Sequence, residues 1–283
     1  MASKKYGVNI QFYCGPDCGS ALPNWTGTPA WISAADQHKA TATATTEWSL
    51  STGASTNHLH WTFSGTIDGA PTMGFDLDAP KSLDIRCDNE FSGKLPGCVF
   101  PEFTPSFAVN TQEHPAAAAL YWTLMQKLPS HPGSKQHKKP LHRLKSKTAQ
   151  KDNRDAMCRL AIAKFVKHPD TDTASCDEYP FAASRESGGQ MPGITSGAQC
   201  AQFYAVDEPT TGWNLYIDDR EGVPTWTEVC GRGNIPLSQN TEEGGALGRW
   251  SPKVRLADND AYYVEVPGFE GCDPNTFCQV RLP

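Results

Sequence analysis

The residues of this chain best suited to catalysis lie in one run, Cys176-Asp-Glu-Tyr-Pro-Phe-Ala-Ala-Ser-Arg-Glu-Ser-Gly-Gly189. Two adjacent acids, Asp177 and Glu178, follow a cysteine able to anchor the strand. A third, Glu186, comes eight residues after Glu178. Acids so grouped suit either a metal site or a general base, because carboxylates offer hard oxygen donors and accept protons. Neighbouring side chains on a strand point to opposite faces, so at most one of Asp177 and Glu178 is expected to face a given site. These residues alone do not separate hydrolysis of DNA from hydrolysis of a glycan by Asp177 or Glu178 paired with Glu186.

A second run lies upstream. From Lys135 to Lys147 every charged side chain is basic, and the stretch includes Lys138, Lys139, His142, Arg143, Lys145 and Lys147. Such a run suits contacts to a phosphate backbone without base specificity. No aromatic residue is interleaved, so a base-stacking groove for single strands is not indicated. His142 reads as a second acid-base group or a phosphate contact. His58-Leu-His60 would put two imidazoles on one strand face, a metal pair in one reading and a polar strand face in the plainer one. No GxxxxGK[ST] loop, HExxH pair or GxSxG elbow is present.

The charge of the chain is divided. Residues 1–110 carry 6 basic and 10 acidic side chains, residues 111–167 carry 12 and 3, and residues 168–283 carry 7 and 18. A basic middle before an acidic C-terminal part suits a protein that grips a polyanion with one and holds divalent metal with the other. A solvated linker beside an acidic surface is the plainer reading. With 24 Gly and 22 Pro in 283 residues, the composition is that of a loop-rich globular protein and excludes a coiled coil, a collagen or a fully disordered chain. The longest apolar stretch, Ala116–Leu128, is broken by Thr and Gln and is too short to span a membrane.

Ten cysteines, at 14, 18, 87, 98, 158, 176, 200, 230, 272 and 278, pair as sequence neighbours 4, 11, 18, 30 and 6 apart. Five local disulfides fit this spacing, and zinc does not, for want of CxxC pairs. No apolar leader opens the sequence, so an oxidising, extracellular destination implies a signal peptide already removed. Asn24-Trp-Thr26 is a glycosylation sequon.

The elements that must position these residues follow from periodicity. Short alternating runs predict strands over Tyr6–Tyr13, Ala44–Leu50, Leu59–Ile67 and Thr72–Leu77, a small sandwich or barrel. Helical spacing predicts helices over 113–128, Asp152–Val166 and Glu242–Trp250. Strands are expected at Cys200–Val206, Trp213–Ile217, Trp226–Cys230 and Ala261–Val266.

The Cys-Asp-Glu-Tyr-Pro-Phe-Ala run with Glu186 and Gly188-Gly189 resembles the NucA/NucB deoxyribonuclease family of small secreted, nonspecific endonucleases. A second block of that family is similar to Gln239-Asn-Thr-Glu-Glu-Gly-Gly-Ala-Leu-Gly-Arg-Trp250, with a closing strand at Asp260-Ala-Tyr-Tyr-Val-Glu-Val. Pro140-Leu-His-Arg, Asn153-Arg-Asp-Ala-Met-Cys and the Arg86–Pro101 block resemble the lead-in of longer bacterial members. The likeness is strong over 140–267. The stretch Gly197–Pro236 is longer than the family's usual connector and carries an extra Cys200/Cys230 pair.

The resemblance implies a disulfide-rich α+β chain. A β-sandwich-like domain would span 1–110, a helix and basic linker 111–152, and a ββα-metal-like nuclease domain 153–283. It implies Asp177 or Glu178 as the base, one Mg²⁺ or Mn²⁺ on Glu186 and Asn240, and DNA backbone contacts from Lys138, Lys139, Arg143, Lys145, Lys147 and Gln239. Asn240 would otherwise cap a helix with Glu243 three residues on. The function implied is a secreted endodeoxyribonuclease. Its competitor from another class is an extracellular adhesive or carbohydrate-binding protein whose nuclease-like part is inactive.

Overall fold

The computed structural model of the protein describes residues 6–15, 20–26, 30–31, 41–45, 47–48, 53–91 and 95–275. Contacts divide the chain into two units, 1–103 and 104–283. In the first, Tyr6–Tyr13 pairs antiparallel with His60–Ile67, which pairs with Ala70–Asp78. Asp68 and Gly69 join the last two with φ of 50° and 83°, the positive values a tight two-residue hairpin turn demands. Ala54–Asn57, Ile85–Asp88 and Gly97–Val99 form a second sheet, and Asn24–Thr26 pairs with Thr41–Thr43 in a third. Cys87 and Cys98 sit opposite each other in register and are bonded. The β-rich character is as expected, divided among three antiparallel sheets. The strand expected over Ala44–Leu50 is not formed where that stretch is described; its other residues lie outside the described set.

His58 and His60 both lie beside Asp78, but Nδ1 of each ring is held by a carboxylate of its own. Nδ1 of His58 meets Asp84 at 2.5 Å and Nδ1 of His60 meets Asp78 at 2.6 Å. Among the described residues no group of three or more His, Cys, Asp or Glu side chains is arranged to hold a metal.

The second unit is built from β1 (Ser106–Ala108), α1 (Pro115–Lys127), β2 (Leu141–His142), α2 (Lys147–Cys158), α3 (Leu160–Ala163), β3 (Ala174–Tyr179), β4 (Ala201–Glu208), β5 (Gly212–Ile217), β6 (Gly231–Pro236), α4 (Leu237–Lys253) and β7 (Ala261–Glu265). Its main sheet runs β3-β6-β4-β5, so β3 has a free edge. β3 and β6 are antiparallel, and α4 follows β6 directly and packs on both. A small sheet, β1-β7-β2, stands apart.

Helix α1 is the core of this unit, and the stretch read as a linker therefore belongs inside it. Ala116, Ala117, Leu120, Tyr121 and Leu124 are buried against the sheet. The helix lies so close to β6 that a Cβ on Gly231 would meet Leu124 Cδ2 at 2.1 Å, and one on Gly233 would meet Leu120 Cδ2 at 2.9 Å. This explains the misplaced strand. The segment expected at Trp226–Cys230 forms instead over Gly231–Pro236, whose glycines lower its strand propensity but are required by the helix above.

Two helix boundaries also move. Ser146 caps α2, its Oγ accepting from the Ala149 N–H, so the helix starts five residues before the expected Asp152. It ends at Cys158, and α3 closes with Lys164 in the left-handed conformation. Helix α4 starts straight after Pro236, whose side chain makes no cap, and runs 17 residues. Asn240 is thus inside the helix and not its cap. Three of the expected disulfides are present, Cys87–Cys98, Cys158–Cys176 and Cys200–Cys230. Cys14 and Cys272 are also disulfide-bonded, with partners outside the described residues.

The contact between α1 and β6 makes Gly231→Val a stringent test of the fold. The added branched side chain overpacks Leu124, and we expect a loss of about 3 kcal/mol in a urea melt. A midpoint equal to that of the unaltered protein would mean that α1 does not lie on β6.

Candidate active site

Strand β3 presents its two acids to opposite faces of the sheet, yet both reach one cavity of about 370 Å³. The reason is the free edge. On one face, Asp177 stands opposite Gly233 under α1, and the Tyr121 hydroxyl donates to its Oδ2 at 2.7 Å. On the other, Glu178 stands opposite Arg232 and faces α2. The cavity wraps the edge between α2 and α4, so residues from both faces line it. The expectation that only one acid could face a site is overturned by β3 being the outermost strand.

Each face is pinned. The Cys158–Cys176 bond ties β3 to the end of α2. Arg232, 1% exposed, donates to Gln202 Oε1, Met157 O and Ala163 O, holding the α2 C-terminus and α3 to the sheet. On the α4 side, Asn240 Nδ2 donates to Ser175 Oγ at 3.1 Å and to Cys176 O at 2.7 Å. Its Oδ1 has no hydrogen-bond partner among the described residues. Asn153, quoted from the sequence only as part of a motif, is buried and donates to Ala182 O, fixing the loop after β3.

The cations on the wall come from one helix face. Lys147, Gln150 and Arg154 line the cavity from α2 at helical spacing, with Arg143 beside them. Arg143 is set by backbone bonds on both sides, its N–H to Asp260 O and its carbonyl to the Asn259 N–H. From α4 come Asn240 and two glycines, Gly244 and Gly248, which leave the wall low.

The environment separates the acids. Burial pushes Glu178 up to about 7, opposed by the charge of Arg154. Burial also raises Asp177 well above the usual carboxylate range, with Glu178 adding to the effect and the Tyr121 hydrogen bond opposing it. Burial lowers Arg143. Carboxyls whose pKa is raised in a cleft with cations mark a functional site on physical grounds. A larger groove of about 730 Å³, lined by Trp122, Trp213 and Trp226, holds none of the candidate residues.

Of the residues singled out from sequence, Asp177, Glu178, Asn240, Arg143 and Lys147 converge here. Glu186 and His142 do not. Glu186 accepts from the His142 backbone N–H at 2.8 Å through Oε2 and meets His142 Nδ1 at 2.7 Å through Oε1. Both oxygens are engaged by one residue, and neither residue lines the cavity. Gln239 is buried, its Oε1 accepting the Ala116 N–H at 2.9 Å. It satisfies an otherwise orphaned donor in the first turn of α1 and does not line the cavity. Lys138, Lys139 and Lys145 are exposed and outside the cavity wall. Sequence reasoning missed Tyr121, Arg154 and Tyr262. Arg154 carried a signal, seven residues after Lys147 on one helix; Tyr121 and Tyr262 carried none, because only tertiary packing brings them to β3.

Residues 131–215 match the family model described as Deoxyribonuclease NucA/NucB. The match takes in Arg143, Lys147, Arg154 and both acids of β3. Asn240, Tyr121 and Tyr262 lie outside it. No curated protein and no solved structure matches the chain.

The engagement of Glu186 yields an expected split. Glu186→Ala leaves the His142 N–H without its acceptor and should lower stability by about 1–2 kcal/mol in a urea melt. Glu186→Gln keeps an acceptor for that N–H and should lose less. Equal stability of Glu186→Ala and the unaltered protein would return Glu186 to the list of free carboxylates.

Proposed function

We propose that the unit 104–283 is a metal-dependent endodeoxyribonuclease, secreted and indifferent to base sequence. The observation that carries this reading is the cavity at the β3 edge, where two buried carboxylates and the Asn240 amide face a wall of Arg143, Lys147 and Arg154. The antiparallel neighbours β3 and β6 with α4 packed on both are in keeping with a ββα-metal arrangement, although β4 and β5 come between the two strands in the chain. The match to the deoxyribonuclease family model supports the substrate, and the disulfides support an oxidising compartment.

The donor set is compatible with a hard divalent ion. Mg²⁺ or Mn²⁺ keeps several waters and needs only one or two carboxylates beside neutral oxygens. Glu178 and the unengaged Oδ1 of Asn240 are the donors we assign, replacing Glu186. When bound, such an ion polarises the phosphate and stabilises the leaving oxygen.

The remaining steps belong to the chain's own groups. The Tyr121 hydroxyl donates to Oδ2 of Asp177, and we assign a remaining lone pair of that carboxylate to accept the proton of an attacking water. Arg143, Lys147 and Arg154 hold the phosphate and oppose its growing charge. The disulfide and Asn240 bonds keep β3 from shifting, since a small displacement of a positioned acceptor is costly to rate. No donor here reads base edges, so cleavage should follow backbone contacts alone.

Nicking of supercoiled plasmid tests the reading. EDTA should abolish it, and Mg²⁺ or Mn²⁺ should restore it. Asp177→Asn should cut the rate at least ~10²-fold while the melting temperature holds, and Asn240→Ala should cut it as far with a melting temperature lowered by the lost bonds to Ser175 and Cys176. Full activity in EDTA rejects the metal. Near-unaltered nicking by both variants rejects the cavity as the site, even in an active nuclease. Binding of soluble glycans with no nicking under any metal would favour the adhesive alternative.

The cavity wall also separates two kinds of cation. Arg154→Gln and Lys147→Gln should weaken duplex binding and each reduce the slope of log K against log salt by ~0.9. Replacing Lys138 and Lys139 by Gln should move that slope less, as they lie outside the cavity. The reverse order would shift the DNA path to the 135–139 loop.

A further inference from the structure

Two buried polar atoms at the wall of this cavity have no hydrogen-bond partner among the described residues: the Tyr262 hydroxyl and Nη1 of Arg143. Tyr262 stands in β7 opposite Leu141, one residue before the His142-Arg143 pair, and only 1% of it is exposed. A hydroxyl or guanidinium N–H shut away from water gives up its hydrogen bonds to solvent, and native interiors repay that loss nearly everywhere. Away from the cavity, Ser187 Oγ, Glu228 Oε2 and Glu243 Oε1 are also without a partner among the described residues, while other buried side chains of this unit are paired. Gln150 donates to Leu144 O, Asn153 to Ala182 O and the Tyr179 hydroxyl to Pro132 O.

Phenylalanine would fill the Tyr262 position without the unpaired group, so the hydroxyl has no role in packing. Both orphaned groups are donors on the wall of one cavity. Two donors without an acceptor call for an oxyanion, and the Lys147 and Arg154 charges on the same wall favour one that is fully ionised.

We propose that the Tyr262 hydroxyl and Arg143 form an anion subsite that takes a non-bridging oxygen of a DNA backbone phosphate. This rests on the nuclease reading and deepens it, adding a neutral contact from the closing strand to the cationic one. Tyrosine brings no charge, so it contributes through a hydrogen bond alone; Arg143 contributes charge as well. The two therefore differ in salt dependence.

The experiment measures melting temperature, binding of a fluorescent 20-base-pair duplex in EDTA over a salt series, and plasmid nicking in Mg²⁺. It compares Tyr262→Phe, Arg143→Met and the double variant with the unaltered protein. Tyr262→Phe should melt at or above the unaltered protein, because it removes an unpaired buried hydroxyl. It should bind duplex about tenfold more weakly at every salt concentration, with the slope unchanged. Arg143→Met should weaken binding and also reduce the slope by ~0.9. The double variant should lose less than the product of the two single losses, as both donors serve one phosphate.

Binding and nicking by Tyr262→Phe equal to those of the unaltered protein would overturn the subsite. So would a melting temperature well below it, which would make the hydroxyl a structural group. An unaltered protein that neither binds nor nicks DNA would instead overturn the nuclease reading itself, an outcome visible before any variant is compared.

Discussion

A buried guanidinium whose hydrogen bonds all go to neutral oxygens sets the geometry of the second unit. Arg232 gives its protons to one amide oxygen and two backbone carbonyls, Gln202 Oε1, Met157 O and Ala163 O. A charge taken out of water is tolerated only with its donors well placed, so these oxygens have little freedom. Burial lowers Arg232 to about 10, which still leaves it charged at neutral pH. Met157 and Ala163 are the ends of α2 and α3. Fixing them fixes the helix face that carries Lys147 and Arg154. The opposite side of the same strand is bare, because Gly231 and Gly233 admit α1. One six-residue strand thus holds the cationic wall on one face and the Tyr121 helix on the other.

The edge position of β3 turns an apparent obstacle into the site's main property. In the middle of a sheet, vicinal acids would be separated by the layer itself. At the edge, each keeps its own surroundings while both open to one space. Asp177 is held by a neutral hydroxyl under α1, and Glu178 by burial near Arg154 under α2. Two carboxylates of nearly equal intrinsic acidity acquire different environments, which is how one pair of like groups is given two tasks. The same arrangement explains why β3 needs anchoring from both sides. An edge strand lacks one neighbour's hydrogen bonds, and the Cys158–Cys176 bond and the Asn240 side chain supply the restraint that a further strand would have given.

How far the sequence was legible depended on whether a residue's role was local. Tyr6–Tyr13 and the helix near 115–127 followed from periodicity, and three cysteine pairings from simple adjacency. The chemistry of Asp177-Glu178 was legible because the acids, the cysteine and the Tyr-Pro pair are contiguous. Strand β6 was not, since Gly-Arg-Gly-Asn-Ile-Pro has neither alternation nor β-branched bulk until Ile235, and its glycines answer to α1 more than a hundred residues away. Glu186 was misread for a related reason. An acid close in sequence to the β3 pair was taken to share its space, but the turn after Pro180 carries it to His142. Gln239 was drawn toward DNA by its neighbour Asn240, although successive helix positions diverge by about 100° and only one of the two faces the cavity.

The distribution of unpaired donors and raised acids sharpens the distinction between scaffold and site. Several polar groups that hold the fold are matched: Gln150, Asn153, Ser184 and Thr171 each reach a backbone carbonyl. Ser187, Glu228 and Glu243 each keep an unpaired atom away from the cavity, and the others of this unit gather at it. Asp177 and Glu178 are buried with their pKa values raised, and among the described residues Asn240 leaves an oxygen and Tyr262 and Arg143 leave donors unengaged. Acceptors gather around β3 and donors around the Arg143 segment and β7, so the mismatches are complementary in kind. A divalent cation needs the first set and a phosphate the second. A single metal-bound phosphodiester satisfies both at once, and this pairing is a stronger argument for the chemistry than either cluster alone. A glycan, neutral and rich in hydroxyls, would leave the cationic wall unanswered.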